Sequence, residues 1–166
     1  DVLNFLKTRI GLLDGVVLSG GEATGKDLFE FCQKIKELGF KIKLDTNGIN
    51  TNKIIELIEN NLLDYIALDY KSNKEKFEQV TASNKFEEFN KTLDYLIDND
   101  FNFEARTTLH TDLLDVDDIN TIIRDLYNKG YRNNFFIQKF MDTQTNIGNI
   151  HQETNKFDES KVTNDM

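Results

Sequence analysis

Five short polar stretches interrupt the apolar segments of this chain, and each follows or closes an aliphatic or aromatic run. Gly20-Gly21-Glu22 pairs two residues without a Cβ with a carboxylate. That arrangement either makes a turn or lets main-chain groups approach a ligand closely. Asp45-Thr46-Asn47-Gly48 offers acidic, hydroxyl and amide groups, or an Asx-type turn that starts the next helix. Asp69 and Lys71, two apart, share one side of an extended chain. They form a surface ion pair or face a common ligand. Arg106 lies inside an apolar run, where a guanidinium needs a partner or an anion. Gln138 and Lys139 occupy a fifth such position.

The intervening segments show what must position these groups. Apolar residues recur at helical spacing over Val2–Ile10, Leu28–Leu38, Ile54–Leu62, Phe86–Ile97 and Val116–Tyr127. Short apolar runs predict strands at Gly15–Ser19, Phe40–Leu44, Tyr65–Leu68, Phe101–Thr108 and Asn134–Phe140. Strands alternating with helices predict βαβ units, right-handed crossovers and a parallel sheet. The polar stretches then all fall at or near the carboxyl ends of strands. Parallel α/β folds gather their ligand sites there. The core is expected over residues 1–142, with a polar, loosely ordered tail over 143–166.

Composition narrows the choices. The chain has 166 residues and a net charge of −9, with no basic stripe for a phosphate backbone, so nucleic acid is not an expected partner. No apolar run reaches the roughly 18 residues of a membrane span. The first residues lack a signal peptide's basic segment, and they read as a segment whose natural start lies upstream. Cys32 is the one cysteine, so neither a disulfide nor a cluster is possible from this chain alone, and a reducing cytoplasmic location is expected. Its place on a helical apolar stripe predicts a core thiol. His110 follows a strand, where it could face a ligand, and reads as a surface-loop residue; His151 reads as inert in the tail.

Ser19-Gly20-Gly21-Glu22-Ala23-Thr24, Leu44-Asp45-Thr46-Asn47-Gly48 and Ala67-Leu68-Asp69-Tyr70-Lys71 occur in the order and separation that resemble the radical S-adenosylmethionine (SAM) glycyl-radical-activating enzymes. Arg106-Thr107-Thr108 followed by Ile137-Gln138-Lys139-Phe140 is similar to the branch that activates anaerobic ribonucleoside-triphosphate reductase, with the pyruvate formate-lyase activators second. The likeness runs from about Val2 to Phe140. Ala23 stands where many members carry Pro, and Lys139 where they carry Gln.

This resemblance implies a partial (β/α)6 TIM-like barrel of parallel strands with alternating helices. It implies SAM as cofactor, with Gly20, Gly21 and Glu22 at the methionine amino group, Lys71 and Arg106 on the carboxylate, and Asp69 in the same shell. It implies a monovalent cation near Asp45, Thr46 and Asp69. The reaction implied is reductive SAM cleavage at a [4Fe–4S] cluster, then hydrogen removal from a glycine of a glycyl-radical enzyme of the anaerobic ribonucleotide reductase or pyruvate formate-lyase type. An electron donor such as flavodoxin is implied too. No catalytic residue and no iron–sulfur ligand is assigned within this chain, because the family's CxxxCxxC loop is expected ahead of Val2. Two other readings compete: a non-catalytic SAM- or protein-binding module of the same descent, and an open doubly wound α/β domain with an anion site at Gly20-Gly21. The second would be supported by a G-x-G-x-x-G or Walker-type loop, and neither is present.

Overall fold

The computed structural model describes residues 1–142, 150 and 153–163. The expected tail falls partly outside these residues, and His151 lies wholly outside them. Along the chain run α1 (Val2–Lys7), β1 (Gly15–Leu18), α2 (Phe29–Glu37), β2 (Lys41–Thr46), α3 (Thr51–Glu59), β3 (Tyr65–Asp69), α4 (Phe77–Thr81), α5 (Phe86–Asp98), β4 (Phe103–Leu109), α6 (Val116–Asn128) and β5 (Phe135–Lys139). The strands form one five-stranded sheet in the order β1-β2-β3-β4-β5. Pairing is parallel between β1 and β2, β2 and β3, and β4 and β5. Among the described residues no helix is long and apolar enough to cross a membrane.

Two elements depart from the sequence reading. Strand β2 continues through Asp45 and Thr46, which pair with Ala67 and Leu68 of β3. Ladder pairing with β3 outweighs the turn preference of an Asp-Thr pair. Helix α4 was not expected. It is five residues long, too short to show a helical period, and it ends at Ala82 in the left-handed conformation.

The chain divides into two compact units. The first comprises Asp1–Asp69 and Glu87–Glu104. Its core takes Cys32 and Ile35 from α2, Ile42 and Leu44 from β2, Ile54 and Leu57 from α3, Ile66 and Leu68 from β3, and Phe89, Leu93 and Leu96 from α5. Strand β2 alternates, with Ile42, Leu44 and Thr46 buried while Lys43 and Asp45 lie on the half-exposed face. That period of two is what a strand covered by helices on one face requires. Lys36 of α2 closes the amino-terminal side: its ammonium meets Asp64 at 2.8 Å, and Asp64 also accepts the Ile42 N–H at 2.7 Å.

The second unit comprises Tyr70–Phe86 and the described residues from Ala105 onward. Helix α6 begins with a reciprocal cap. Asp115 accepts from the Asp117 and Asp118 N–H groups at 2.9 and 3.0 Å, and Asp118 accepts from the Asp115 N–H at 2.8 Å. These bonds satisfy donors that a helix start leaves open. Ile119, Ile122, Ile123 and Leu126 bury the inner face of α6. Residues 153–163 are tied back to this unit: Asp112 accepts from Thr154 and Asn155, and Asn120 bonds Lys161 and Thr163.

Candidate functional site

In the first unit, the polar residues after β1 and β2 meet through one carboxylate. Glu22 Oε1 accepts from the Thr24 N–H (3.2 Å), the Thr24 hydroxyl (2.6 Å) and the Thr46 hydroxyl (2.7 Å). Glu22 Oε2 accepts from the Asn47 N–H at 2.8 Å. The bracket extends outward. Thr24 Oγ1 accepts from Asn50, Thr46 Oγ1 from the Gly48 N–H, and Asn47 Oδ1 from the Ile49 N–H. Thr24 and Thr46 are almost wholly buried. Glu22 thus clasps the two loops together, a role the bare motif did not reveal.

The glycines beside this clasp do different work. Gly20 and Gly21 have φ of 100° and 55°, and a Cβ added at either would meet nothing within 4 Å. They combine a left-handed backbone with open space in front of it. A ligand can approach the main chain there. Gly48 has φ of 75°, but its Cβ would strike Leu68 Cδ1 at 2.7 Å and Phe89 Cδ2 at 3.2 Å. Its carbonyl accepts from the Thr92 hydroxyl of α5 at 2.6 Å. Gly48 therefore serves packing.

Asp45 follows Lys43 on the half-exposed face of β2, and Asp69 ends β3. Thr46 points to the opposite, buried face of its strand, where its hydroxyl serves Glu22. Beneath Asp45 lies a group that sequence reasoning passed over. Lys43 Nζ stands 2.9 Å from Glu104 and 3.9 Å from Asp45, and the Tyr65 hydroxyl reaches Glu104 at 3.3 Å. Burial and the Glu104 carboxylate both push the Tyr65 phenol above its ordinary pKa. Lys43 precedes Asp45 by two residues, and Glu104 precedes Arg106 by two. That same-face spacing was the available signal.

In the second unit, the Tyr70 N–H donates to the Arg106 carbonyl at 2.7 Å. Lys71 and Arg106 are both partly exposed. The segment after Tyr70 is anchored by Asn73, which donates to Asp118 at 2.7 Å, and by the Lys76 ammonium, which also meets Asp118. The Asp118 partner raises the pKa of Lys76. Thr107 is buried, and its hydroxyl has no hydrogen-bond partner among the described residues. Gln138 and Lys139 of β5 are exposed. His110 lies in the loop after β4 but not on the surface expected of it: it is 6% exposed, with its ring against Phe140 at 4.7 Å. Its Nδ1 accepts the Asp112 N–H and its carbonyl accepts from Leu114, so it organises the turn into α6. Cys32 is the core thiol expected, and burial pushes its pKa up to about 11.

A parallel sheet with alternating helices, and polar groups at its strand ends, defines the α/β class. Residues 1–126 match the Radical SAM superfamily, and the chain belongs to that family. A protein of Methanocaldococcus jannaschii named as a glycyl-radical enzyme activating enzyme is 38% identical over an alignment of 126 positions that covers 69% of this chain and 52% of that protein. The chain thus spans about half the length of that relative. Among solved structures, a domain of pyruvate-formate lyase-activating enzyme from Bacteroides vulgatus superposes with a TM-score of 0.57 at 19% identity, covering 68% of this chain and 71% of that one. The structure of anSMEcpe with AdoMet bound gives a TM-score of 0.66 at 18% identity, covering 85% of this chain and 42% of the other. These two share the fold, a TIM-like partial barrel.

The family implies SAM and a [4Fe–4S] cluster. The two fit this chain differently. The open glycine pair at the end of β1 suits a ligand seated against main chain. A cluster needs several thiolates. The chain has one cysteine, which is buried, and among the described residues no group of three His, Cys, Asp or Glu side chains is placed to hold a metal ion. The residues present do not fit a cluster.

Proposed function

We propose that this chain is the SAM-binding body of an activating enzyme for a glycyl-radical enzyme. The observation that carries the reading is the open, left-handed Gly20-Gly21 pair held beside the Glu22 clasp at the end of β1. Membership of the radical SAM family and the 38% identity to a protein so named support it. In this reading the main chain at Gly20 and Gly21 receives the methionine ammonium of SAM. Glu22 holds that main chain in place, with its carboxylate engaged by Thr24, Thr46 and Asn47. Lys71 and Arg106 take the SAM carboxylate, Arg106 with the option of two parallel hydrogen bonds. Asp69 belongs to the same shell. Asp45 and Asp69 serve a monovalent cation that relieves repulsion between the two carboxylates, and Thr46, whose hydroxyl is committed to Glu22, contributes there only through its main chain.

The cluster ligands come from sequence outside this chain, in the part of the protein that the longer relatives contain. The partner is a glycyl-radical enzyme of the anaerobic ribonucleotide reductase or pyruvate formate-lyase type, with flavodoxin or a similar donor as electron source. The chain as it stands binds SAM and does not cleave it.

Isothermal titration with SAM tests the proposal. Saturable binding that Gly20→Val abolishes, with the fold intact by circular dichroism, is expected. Titration that shows no heat at any accessible SAM concentration would overturn it.

A further inference from the structure

We propose that Tyr70 and Asp125, supported by Asp118, form a positioning lock that holds the segment bearing Lys71 against helix α6 while its main chain pairs with strand β4, which bears Arg106. The lock rests on the reading that Lys71 and Arg106 hold the SAM carboxylate.

Tyr70 stands between Asp69 and Lys71 and is only 2% exposed. Its N–H donates to the Arg106 carbonyl, so hydrogen bonding to β4 continues one residue past the end of β3. Its phenol donates to Asp125 Oδ2 of α6 at 2.8 Å. A phenol bonded to a carboxylate makes a stronger tie than one between neutral groups. In extended chain, alternate side chains face opposite ways. The seat of the Tyr70 ring therefore sets the direction in which Asp69 and Lys71 point.

Asp118 lies seven residues before Asp125, two turns away on the same face of α6. It is 6% exposed and receives Asn73 and Lys76. The segment from Tyr70 to Lys76 is thus tied to one helix face at both ends. Stability alone gives little reason for this design. Well-packed apolar residues often stabilise a core as much as a buried ion pair does. What the carboxylates add is a single defined geometry for the residues between them. A misplacement of about 1 Å in a positioning group can cost on the order of a hundredfold in rate.

The test compares SAM with decarboxylated SAM, which keeps the sulfonium and the amine but lacks the carboxylate. Tyr70→Phe keeps the ring and removes one hydroxyl. Asp125→Leu removes the acceptor, and Asp125→Asn retains one. Titration of the 166-residue chain is expected to show SAM affinity lowered roughly tenfold in Tyr70→Phe and Asp125→Leu. Affinity for decarboxylated SAM is expected to be unchanged in both, and Asp125→Asn to bind SAM nearly as wild type does. Equal loss of both ligands would mean a general structural role, and loss of neither would mean no role. Either result overturns the lock. If wild type binds no SAM, the underlying function falls first, and the two failures are thereby distinguished. Should Asp125→Leu not fold, the isosteric Tyr70→Phe decides the matter alone.

Discussion

The Glu22 carboxylate accepts the Thr46 hydroxyl at 2.7 Å, joining the loop after β1 to the end of β2 across 24 residues of chain. The same carboxylate also holds Thr24 and Asn47. A group with this many partners cannot be removed without leaving several of them buried and unpaired. Glu22→Ala is therefore expected to lower stability by about 2–3 kcal/mol in urea unfolding. Glu22→Gln, which keeps one acceptor oxygen, is expected to lose about half as much. A wild-type midpoint in Glu22→Ala would dissolve the clasp.

Gly20 and Gly48 both have positive φ, yet a Cβ meets open space at the first and Leu68 at the second. Gly20→Ala is expected to cost about 1 kcal/mol from backbone strain alone. Gly48→Ala adds overpacking and is expected to cost about 2–4 kcal/mol. Melting temperatures measured side by side check the order. The reverse order would mean that the turn after β2 has slack.

Lys71→Ala and Arg106→Ala are each expected to weaken SAM binding by on the order of 1–3 kcal/mol, if a charged hydrogen bond to its carboxylate is lost. Calorimetry showing wild-type affinity in both variants removes them from the site.

Lys43 and Glu104 form a half-buried pair at 2.9 Å, with side chains about a third and a fifth exposed. Solvent screening at that exposure limits the coupling to about 1 kcal/mol. A double-mutant cycle with Lys43→Met and Glu104→Gln measures it. A coupling indistinguishable from zero means that the pair only fills space.

Cys32 holds its thiol proton to about pH 11, against an ordinary value of 9.0. The unfolded chain gives up that proton about two units earlier. Unfolding in this range therefore releases a proton, and stability falls as pH rises from 9 to 11. The loss is expected to reach roughly 2–3 kcal/mol, at 1.36 kcal/mol per unit. Below pH 9 the effect is absent. Cys32→Ala should flatten this slope in unfolding measured against pH. At pH 8 a thiol reagent is expected to label Cys32 only when the chain opens. Rapid labelling of the folded chain would contradict the burial.

Much of this was legible in local pattern. The period of 3.6 in α5 and α6 and the apolar runs of β1 and β3 are properties of neighbouring residues, so the alternation of strand and helix could be read directly. The same holds for Gly20-Gly21-Glu22, Asp45-Thr46 and Asp69-x-Lys71 at the strand ends, and for Cys32 on an apolar stripe. The rest depends on residues far apart in the chain. Strand β2 keeps Asp45 and Thr46 because β3 supplies a ladder, against the turn preference of those residues. Glu22 spends its carboxylate on a loop 24 residues away. Gly48 is confined by Leu68 and Phe89, and His110 is buried against Phe140. The phenol of Tyr70 finds Asp125 across 55 positions. A side chain's type says which bonds it can make, but packing chooses the partner, because a buried polar group must be satisfied by whatever the fold brings within reach.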